Sequence, residues 1–474
     1  MSDLLKQTEE ITKIILEAKK KAQIETKEDK SKDFVSNNTD IEWPINCVVG
    51  PGLEGAIACT SKIGYVNGAK GWLIYRGYDI FDLCAYSTFE EVSYLLIHGK
   101  LPTKDELDIF NKKLINYRDI NYTIKLLMGL NVEEMNTMAV LRIGTNFIRH
   151  DSTFIDSKYY KPDFNSHISS DEDSIPMETK PMGEKEAIYE FKKADYQEKS
   201  KIMEKELVDP IGYKSSYRLL SGVASVAGAV ARLRQGKLPI EPNPELSFAA
   251  NLIYMTTGKI PTPVEERIMD VSLILHADHG MNASTFATMV VASTLSDMYF
   301  AVGSGIAALN GPLHGGANAE VLKMLKEIGD IDNVEQWYEK KQQNKEKVMG
   351  FGHRVYKAYD PRARVLGPLA EYLIQNSDNK ESKKIFKIAQ KLEEQVIAHL
   401  GKEKKIFPNV DFYSGIVYSC LNIPVELFTP FFAVSRVSGW TARVIEYVQR
   451  NRIFRPRALY IGEFDKEYVP IDKR

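Results

Sequence analysis

Four of the eight histidines in this chain lie between positions 276 and 353, each beside glycine or another polar residue rather than in an apolar stripe. They fall in three of four polar clusters in the C-terminal half. The first is His276-Ala277-Asp278-His279-Gly280-Met281-Asn282, and the second is Gly311-Pro312-Leu313-His314-Gly315-Gly316-Ala317-Asn318. The third is Gly350-Phe351-Gly352-His353-Arg354-Val355-Tyr356-Lys357, running on to Asp360-Pro361-Arg362, and the fourth is Pro408-Asn409-Val410-Asp411-Phe412-Tyr413-Ser414-Gly415. A single histidine is more often a surface or core residue than a catalyst. Two framed by glycine shift that balance, because glycine lets backbone approach a ligand closely. Asp411 follows Pro408-Asn409 where a helix begins. An ordinary N-cap aspartate is the plainer reading, although a carboxylate held there is also oriented as a general base must be.

The cations divide similarly. Arg436 lies in the apolar run FFAVSRVSGW, so its charge requires either an acidic neighbour or a ligand carboxylate. Arg362 follows Asp360-Pro361. Arg455-Pro456-Arg457 reads most simply as a solvated basic loop. His276 and His279 invite a zinc reading, but there is no HExxH pattern and no nearby cysteine pair, so no metal site is expected.

Helices must position these groups. Residues 3–28 have helical apolar spacing, and 29–40 are polar and linker-like. Around Asn67-Gly68 two β-rich runs predict a hairpin. Thr88 with Glu91, and Thr103 with Glu106, predict capping boxes for helices over 88–99 and 103–117. The segment 151–183 is charged and poor in apolar residues, which predicts an exposed, disordered excursion. A charged helix is expected over 184–206. Further helices are expected over 221–237, within the Ala/Gly/Ser-rich stretch 283–309, and over 317–328, 333–346, 362–376, 382–400 and 425–450. No strand–helix alternation implies a parallel sheet.

Length and composition are those of an ordinary soluble protein able to bury a large core. The net charge of -2 gives no global attraction to nucleic acid or anionic membrane, so any anion site must be local. Cys47, Cys59, Cys84 and Cys420 show no paired spacing and predict free thiols in a reducing compartment. No apolar run suits a membrane span. The acidic, arginine-free N-terminus argues against a transit peptide. PIDKR is no retention or peroxisomal signal. A cytoplasmic location is expected.

Taken in order, HADHGMNAS, GPLHGGANAEVLKML, GFGHRVYKAYDPRA, FPNVDFYSG and RPRALYIG resemble the citrate synthase family, in its shorter bacterial and archaeal branch. GLEGAIACTSKIGYVNG, WLIYRGYDI and FEEVSYLLIHGKLPTKDEL add to the resemblance, which covers roughly 50–150 and 215–470. It implies an all-α, two-domain helical fold with a small N-terminal β-hairpin region. The implied division is an extension over 1–45, a large domain over 46–310 carrying the insertion 151–206, a small mobile domain over 311–411, and a return to the large domain over 412–474. The resemblance also implies an acyltransferase of the tricarboxylic acid cycle. Such an enzyme condenses oxaloacetate with acetyl-CoA through an enol and hydrolyses citryl-CoA, with acetyl-CoA as substrate and no cofactor.

Carried over by motif, His314 stabilises the enol, Asp411 removes the methyl proton and His353 polarises the oxaloacetate carbonyl. His279, Arg362, Arg436 and Arg455 hold the substrate carboxylates, with Arg455 supplied by the neighbouring chain of a homodimer. Lys357 contacts CoA phosphate, and Gly350, Phe351 and Gly352 line the adenine site. The residue types suit that chemistry. A thioester α-proton is so weakly acidic that a base needs a hydrogen-bond donor at the developing enolate oxygen. Planar arginine forks match carboxylates. The chain departs from the family pattern at 136–142, where HPMDVLR is frequent, and at Gly280, where Glu is common. The alternatives are a 2-methylcitrate synthase using propionyl-CoA, and a non-catalytic homologue that binds CoA or oxaloacetate. Arg354, Lys357 and the RPR loop favour citrate synthase.

Overall fold

The computed structural model describes residues 2–26, 43, 45–149, 212–376, 379–464 and 466–474. The linker expected over 29–40, the excursion over 151–183 and the helix over 184–206 lie outside them.

The first helix, α1 (Ser2–Thr26), buries Ile11, Ile15 and Ala18. The hairpin forms where Asn67-Gly68 predicts it. β1 (Gly64–Asn67) pairs antiparallel with β2 (Trp72–Tyr75), and β2 also pairs with the short β3 (Tyr78–Asp79). Asn67 Oδ1 closes the turn by accepting from Lys70 N at 2.9 Å.

The remaining described chain is mainly helical. α2 (Ile80–Tyr86), α3 (Phe89–His98), α4 (Lys104–Asn116), α5 (Asn121–Met128) and α6 (Thr137–Ile148) precede the undescribed segment. α4 carries the full reciprocal box of Thr103 and Glu106. At α3 only half of the expected box forms. Thr88 caps Glu91 N, but the Glu91 carboxylate turns to Ser87 Oγ at 2.5 Å, and Phe89 N donates to the distant Asp270 at 2.8 Å. At the 136–142 departure, Asn136 caps α6 through Ala139 N, and Thr137 Oγ1 donates to Glu426 O at 2.7 Å.

Then come α7 (Tyr213–Leu233), α8 (Phe248–Thr257), α9 (Pro263–His276), α10 (Ala283–Ser293) and α11 (Met298–Leu309). The stretch 283–309 is thus two helices packed together, broken near Leu295, which takes a left-handed conformation with φ 65°. α12 (Ala317–Ile328), α13 (Val334–Gln343), α14 (Pro361–Gln375), α15 (Lys380–Val396), α16 (Val410–Cys420) and α17 (Phe428–Val448) complete the set.

Packing sorts most helices into two groups. α17, whose Trp440 is fully buried, packs against α3, α7, α9, α10 and α11. α12, α14, α15 and α16 pack on one another, with α13 against α15. The four polar clusters sit at helix ends and loops where these groups meet. All four cysteines are free thiols, and no described helix is long and apolar enough to cross a membrane.

Candidate active site

The C-terminal end of α9 supplies the buried part of the site. Asp278 accepts two hydrogen bonds from Arg443 of α17, Nε and Nη2 both at 2.7 Å, and Gly280 N adds a third at 3.1 Å. Burial alone would raise the Asp278 carboxyl, but the Arg443 guanidinium overrides it and holds the group below the usual range. From β2, the Tyr75 hydroxyl donates to Asp278 O at 2.8 Å and accepts from Asp278 N at 3.1 Å. The HADH segment is therefore clamped between the hairpin and α17.

Arg436 is 1 % exposed. No carboxylate pairs with it among the described residues. Its Nε donates to His276 O at 2.5 Å, its guanidinium lies 4.7 Å over the Phe432 ring, and its Nη2 has no partner. Of the two partners its sequence context requires, the acidic one acts only through the nearby charge of Asp278 and not through a direct pair, leaving a buried cation with unused hydrogen-bonding capacity. Arg362, at the start of α14, is instead paired with Asp360 through bonds of 3.0 and 2.8 Å, which engage two of its five N–H donors. Asp360 also caps α14 and accepts from Val410 N at 3.2 Å, which ties the third cluster to the fourth.

The other groups stand on loops. His314 follows α11, and its Nε2 faces both Ser284 Oγ at 2.9 Å and Ser284 N at 3.1 Å. A backbone N–H aimed at Nε2 requires that nitrogen to be the bare acceptor, so the neutral ring carries its proton on Nδ1. His353 shows the mirror arrangement. Its Nδ1 accepts from Val355 N at 3.0 Å and Tyr356 N at 3.1 Å, leaving the proton on Nε2. Burial and then Arg436 push His314 down to about 4, and burial and then Arg362 do the same to His353. His279 is driven well below its ordinary value by burial, Arg362 and His353. All three rings are neutral at neutral pH.

The GFGH loop is laced to the FPNVD segment. Gly352 N donates to Phe407 O, Asn409 N to Gly350 O and Asn409 Nδ2 to Gly352 O, each at 2.9 Å. Gly350 has φ 80°, and a Cβ there would come within 2.8 Å of both Phe412 and Val321. Only glycine allows that approach. The hairpin turn props the same loop from outside, since Lys357 N donates to Gly68 O at 2.8 Å.

Asp411 is not the N-cap. Asn409 fills that role, its Oδ1 accepting from Asp411 N at 3.0 Å. The Asp411 carboxylate is thereby released from capping and makes no hydrogen bond to another described residue. Burial raises it to about 6, helped by Asp360 and opposed by Arg362 and Arg436.

These residues form one locus. The His279 and His353 rings are 5.2 Å apart, the fields of Arg362 and Arg436 both reach His279 and Asp411, and Arg436 also reaches His314. Two expected members are exposed rather than buried in it, although the charge of Lys357 reaches His353. Lys357 is exposed on the rim, and Arg455 lies on the exposed C-terminal segment. Sequence reasoning missed Asp278, Arg443, Asp360, Tyr356, Ser284 and Asn409 as supports. The aspartates, Tyr356, Asn409 and Ser284 do stand inside the singled-out motifs, although the partner of Ser284 lies 30 positions away. Arg443 carries no local signal, because its partner lies 165 positions away.

The sequence model described as "Citrate synthase, C-terminal domain" matches residues 52–169 and 163–457. The chain belongs to the citrate synthase family. It is 40% identical over 430 residues to a citrate synthase of Synechocystis sp., covering 90% of this chain and 95% of that one. It is 39% identical over 425 residues to a citrate synthase of Haloferax volcanii, covering 89% and 98%. Its fold matches a citrate synthase of Thermoplasma acidophilum, solved as the ternary complex with carboxymethyl coenzyme A and oxaloacetate, with TM-score 0.73, 31% identity, and coverage of 90% and 100%. The mostly helical fold expected of this family is observed, and the chain is an enzyme of the acyltransferase kind.

Proposed function

We propose that this enzyme condenses oxaloacetate with acetyl-CoA and hydrolyses the citryl-CoA formed, releasing citrate and CoA as the entry step of the tricarboxylic acid cycle. The observation that carries this reading is the pairing of an uncommitted carboxylate, Asp411, with two neutral imidazoles whose free nitrogens are hydrogen-bond donors. Asp411 takes a methyl proton from acetyl-CoA while His314 Nδ1–H stabilises the enol oxygen. The enol carbon attacks the oxaloacetate carbonyl carbon, and His353 Nε2–H supports the oxygen as it becomes a hydroxyl. Water then cleaves the thioester. Arg436, with its unused Nη2, and His279 and Arg362 receive the oxaloacetate carboxylates. Lys357 and the backbone of Gly350, Phe351 and Gly352 face CoA. The reading calls for no cofactor, and it places the enzyme in a reducing, cytoplasmic setting.

A second copy of the chain completes the site with its Arg455, so that a homodimer has shared active sites. Mixed heterodimers of Arg455→Ala and His314→Ala should then regain activity, because one site carries both defects and the other neither. No recovery in verified heterodimers would remove the sharing.

Thiol release with oxaloacetate tests the activity itself. Acetyl-CoA should show the higher kcat/KM, with propionyl-CoA lower by roughly 10–200-fold, the value of one methylene in a pocket. A preference for propionyl-CoA would make the enzyme a 2-methylcitrate synthase. No release with either would leave a binding homologue.

A further inference from the structure

Tyr356 lies against three of the groups assigned above, His279, His353 and Arg362. It is 2 % exposed. Its hydroxyl lies 3.2 Å from His279 Nε2, its ring centroid is 5.4 Å from that of His279 and 4.9 Å from that of His353, and the Arg362 guanidinium lies 5.8 Å over its ring. The hydroxyl makes no other hydrogen bond among the described residues.

Two proton arrangements fit the contact with His279. In one, the phenol O–H donates to Nε2 and the imidazole proton sits on Nδ1. In the other, Nε2–H donates to the phenol oxygen, Nδ1 is bare, and the proton of the buried phenol is left without an acceptor among the described residues. An unsatisfied buried donor is costly, so the first arrangement prevails. The surroundings agree. His314 has its Nε2 occupied by Ser284 and its Nδ1–H free, and His353 has its Nδ1 occupied by backbone and its Nε2–H free. Oxaloacetate offers only acceptor oxygens, so a third imidazole serves it as a donor and would repel it as a bare nitrogen.

We propose that Tyr356 is a positioning residue. Its hydroxyl donates to His279 Nε2 and fixes the imidazole tautomer whose Nδ1–H is presented to an oxygen of oxaloacetate. This deepens the citrate synthase reading and rests on it for the identity of the ligand.

The variant Tyr356→Phe keeps the ring contacts and removes only the hydroxyl. Oxaloacetate binding without acetyl-CoA, measured by calorimetry, should weaken by roughly 2–10-fold, the range for losing one neutral hydrogen bond. KM for oxaloacetate should rise in step, with KM for acetyl-CoA within about twofold of wild type. General loosening of the site would move both. The second measurement needs no variant for its main result. In the full-length protein labelled with 15N-histidine, the His279 resonances, assigned by their loss in His279→Gln, should show protonated Nδ1 and bare Nε2. Protonated Nε2 in the wild type, or unchanged oxaloacetate affinity in a folded Tyr356→Phe, overturns the proposal. A wild-type protein that releases no CoA sinks the activity reading instead, and the imidazole spectrum still decides the tautomer.

Discussion

Asp278 and Asp411 are both desolvated carboxylates within the field of Arg436, yet the structure treats them in opposite ways. Asp278 lies at the end of α9, held by Arg443 through two bonds and by Gly280 N through a third, and its carboxyl is kept low. Asp411 lies in the first turn of α16. Asn409 has taken over the capping, no hydrogen bond holds its oxygens, and its carboxyl is raised to about 6. The neighbourhoods follow suit. Around Asp278 the groups are shut away and held by helix-borne side chains. Around Asp411 the histidines stand on loops, each anchored through one ring nitrogen. Fixed charge is placed among packed helices and held on several sides. Asp411 and the loop histidines each keep one side uncommitted to a described partner.

The largest expected effect comes from removing the unheld carboxylate. Asp411→Asn should lower turnover by about 10²–10⁴-fold, the usual share of general acid–base catalysis. Wild-type kcat/KM should rise about tenfold per pH unit at low pH and level off above about 6, where Asp411 is ionised. The sign for stability is the reverse of the usual carboxylate case. The folded pKa lies above the unfolded one, so the ionised group costs stability at pH 8, and the cost fades as pH falls below 6 towards 4. Asp411→Asn should therefore be more stable than wild type at pH 8, by on the order of 3 kcal/mol in denaturant unfolding, and lose that gain near pH 4. A variant that is destabilised at pH 8 would mean that the carboxylate is held after all.

Breaking the held carboxylate should act on stability first. Arg443→Ala strands Asp278 as an uncompensated buried charge, at a cost of about 3–5 kcal/mol in denaturant unfolding. Without Arg443, burial raises the Asp278 carboxyl, so the loss should shrink as pH falls and the group takes up a proton. A loss below about 1 kcal/mol would show that the pair around Asp278 is no more essential than a surface ion pair.

The contrast between the two regions was only half visible in the sequence. The motif residues could be read because their glycines and spacing are local. The hairpin at Asn67-Gly68 and the helix starts at Thr103 and Ala317 were readable for the same reason. Asp411 was harder. Pro408-Asn409-Val410-Asp411 contains two good capping residues, and only the backbone shows that Asn409 wins. The Thr88–Glu91 box failed similarly, because Ser87 competes for the carboxylate. Nothing along the chain could pair Asp278 with Arg443 or Ser284 with His314, since those contacts exist only after α9, α10 and α17 have packed. The same holds for Arg436, whose buried position was readable but whose partner is a backbone carbonyl.

The smallest effect tests whether backbone or side chain sets the loop histidines. His314 Nε2 faces two donors from one residue, the Ser284 hydroxyl at 2.9 Å and the Ser284 backbone N–H at 3.1 Å. The hydroxyl also lies 2.7 Å from Asn282 Oδ1, so its single proton cannot serve both acceptors at once. The backbone N–H cannot turn away in that manner, because Ser284 lies in the first turn of α10. If the backbone fixes the tautomer, Ser284→Ala leaves His314 with its proton still on Nδ1. Turnover should then fall by only about 2–10-fold, the value of one neutral hydrogen bond, with Asn282 still capping the helix. A fall approaching that of Asp411→Asn would show that the hydroxyl carries the tautomer. The half of the site that handles protons would then depend on side-chain contacts as closely as the half built around Asp278.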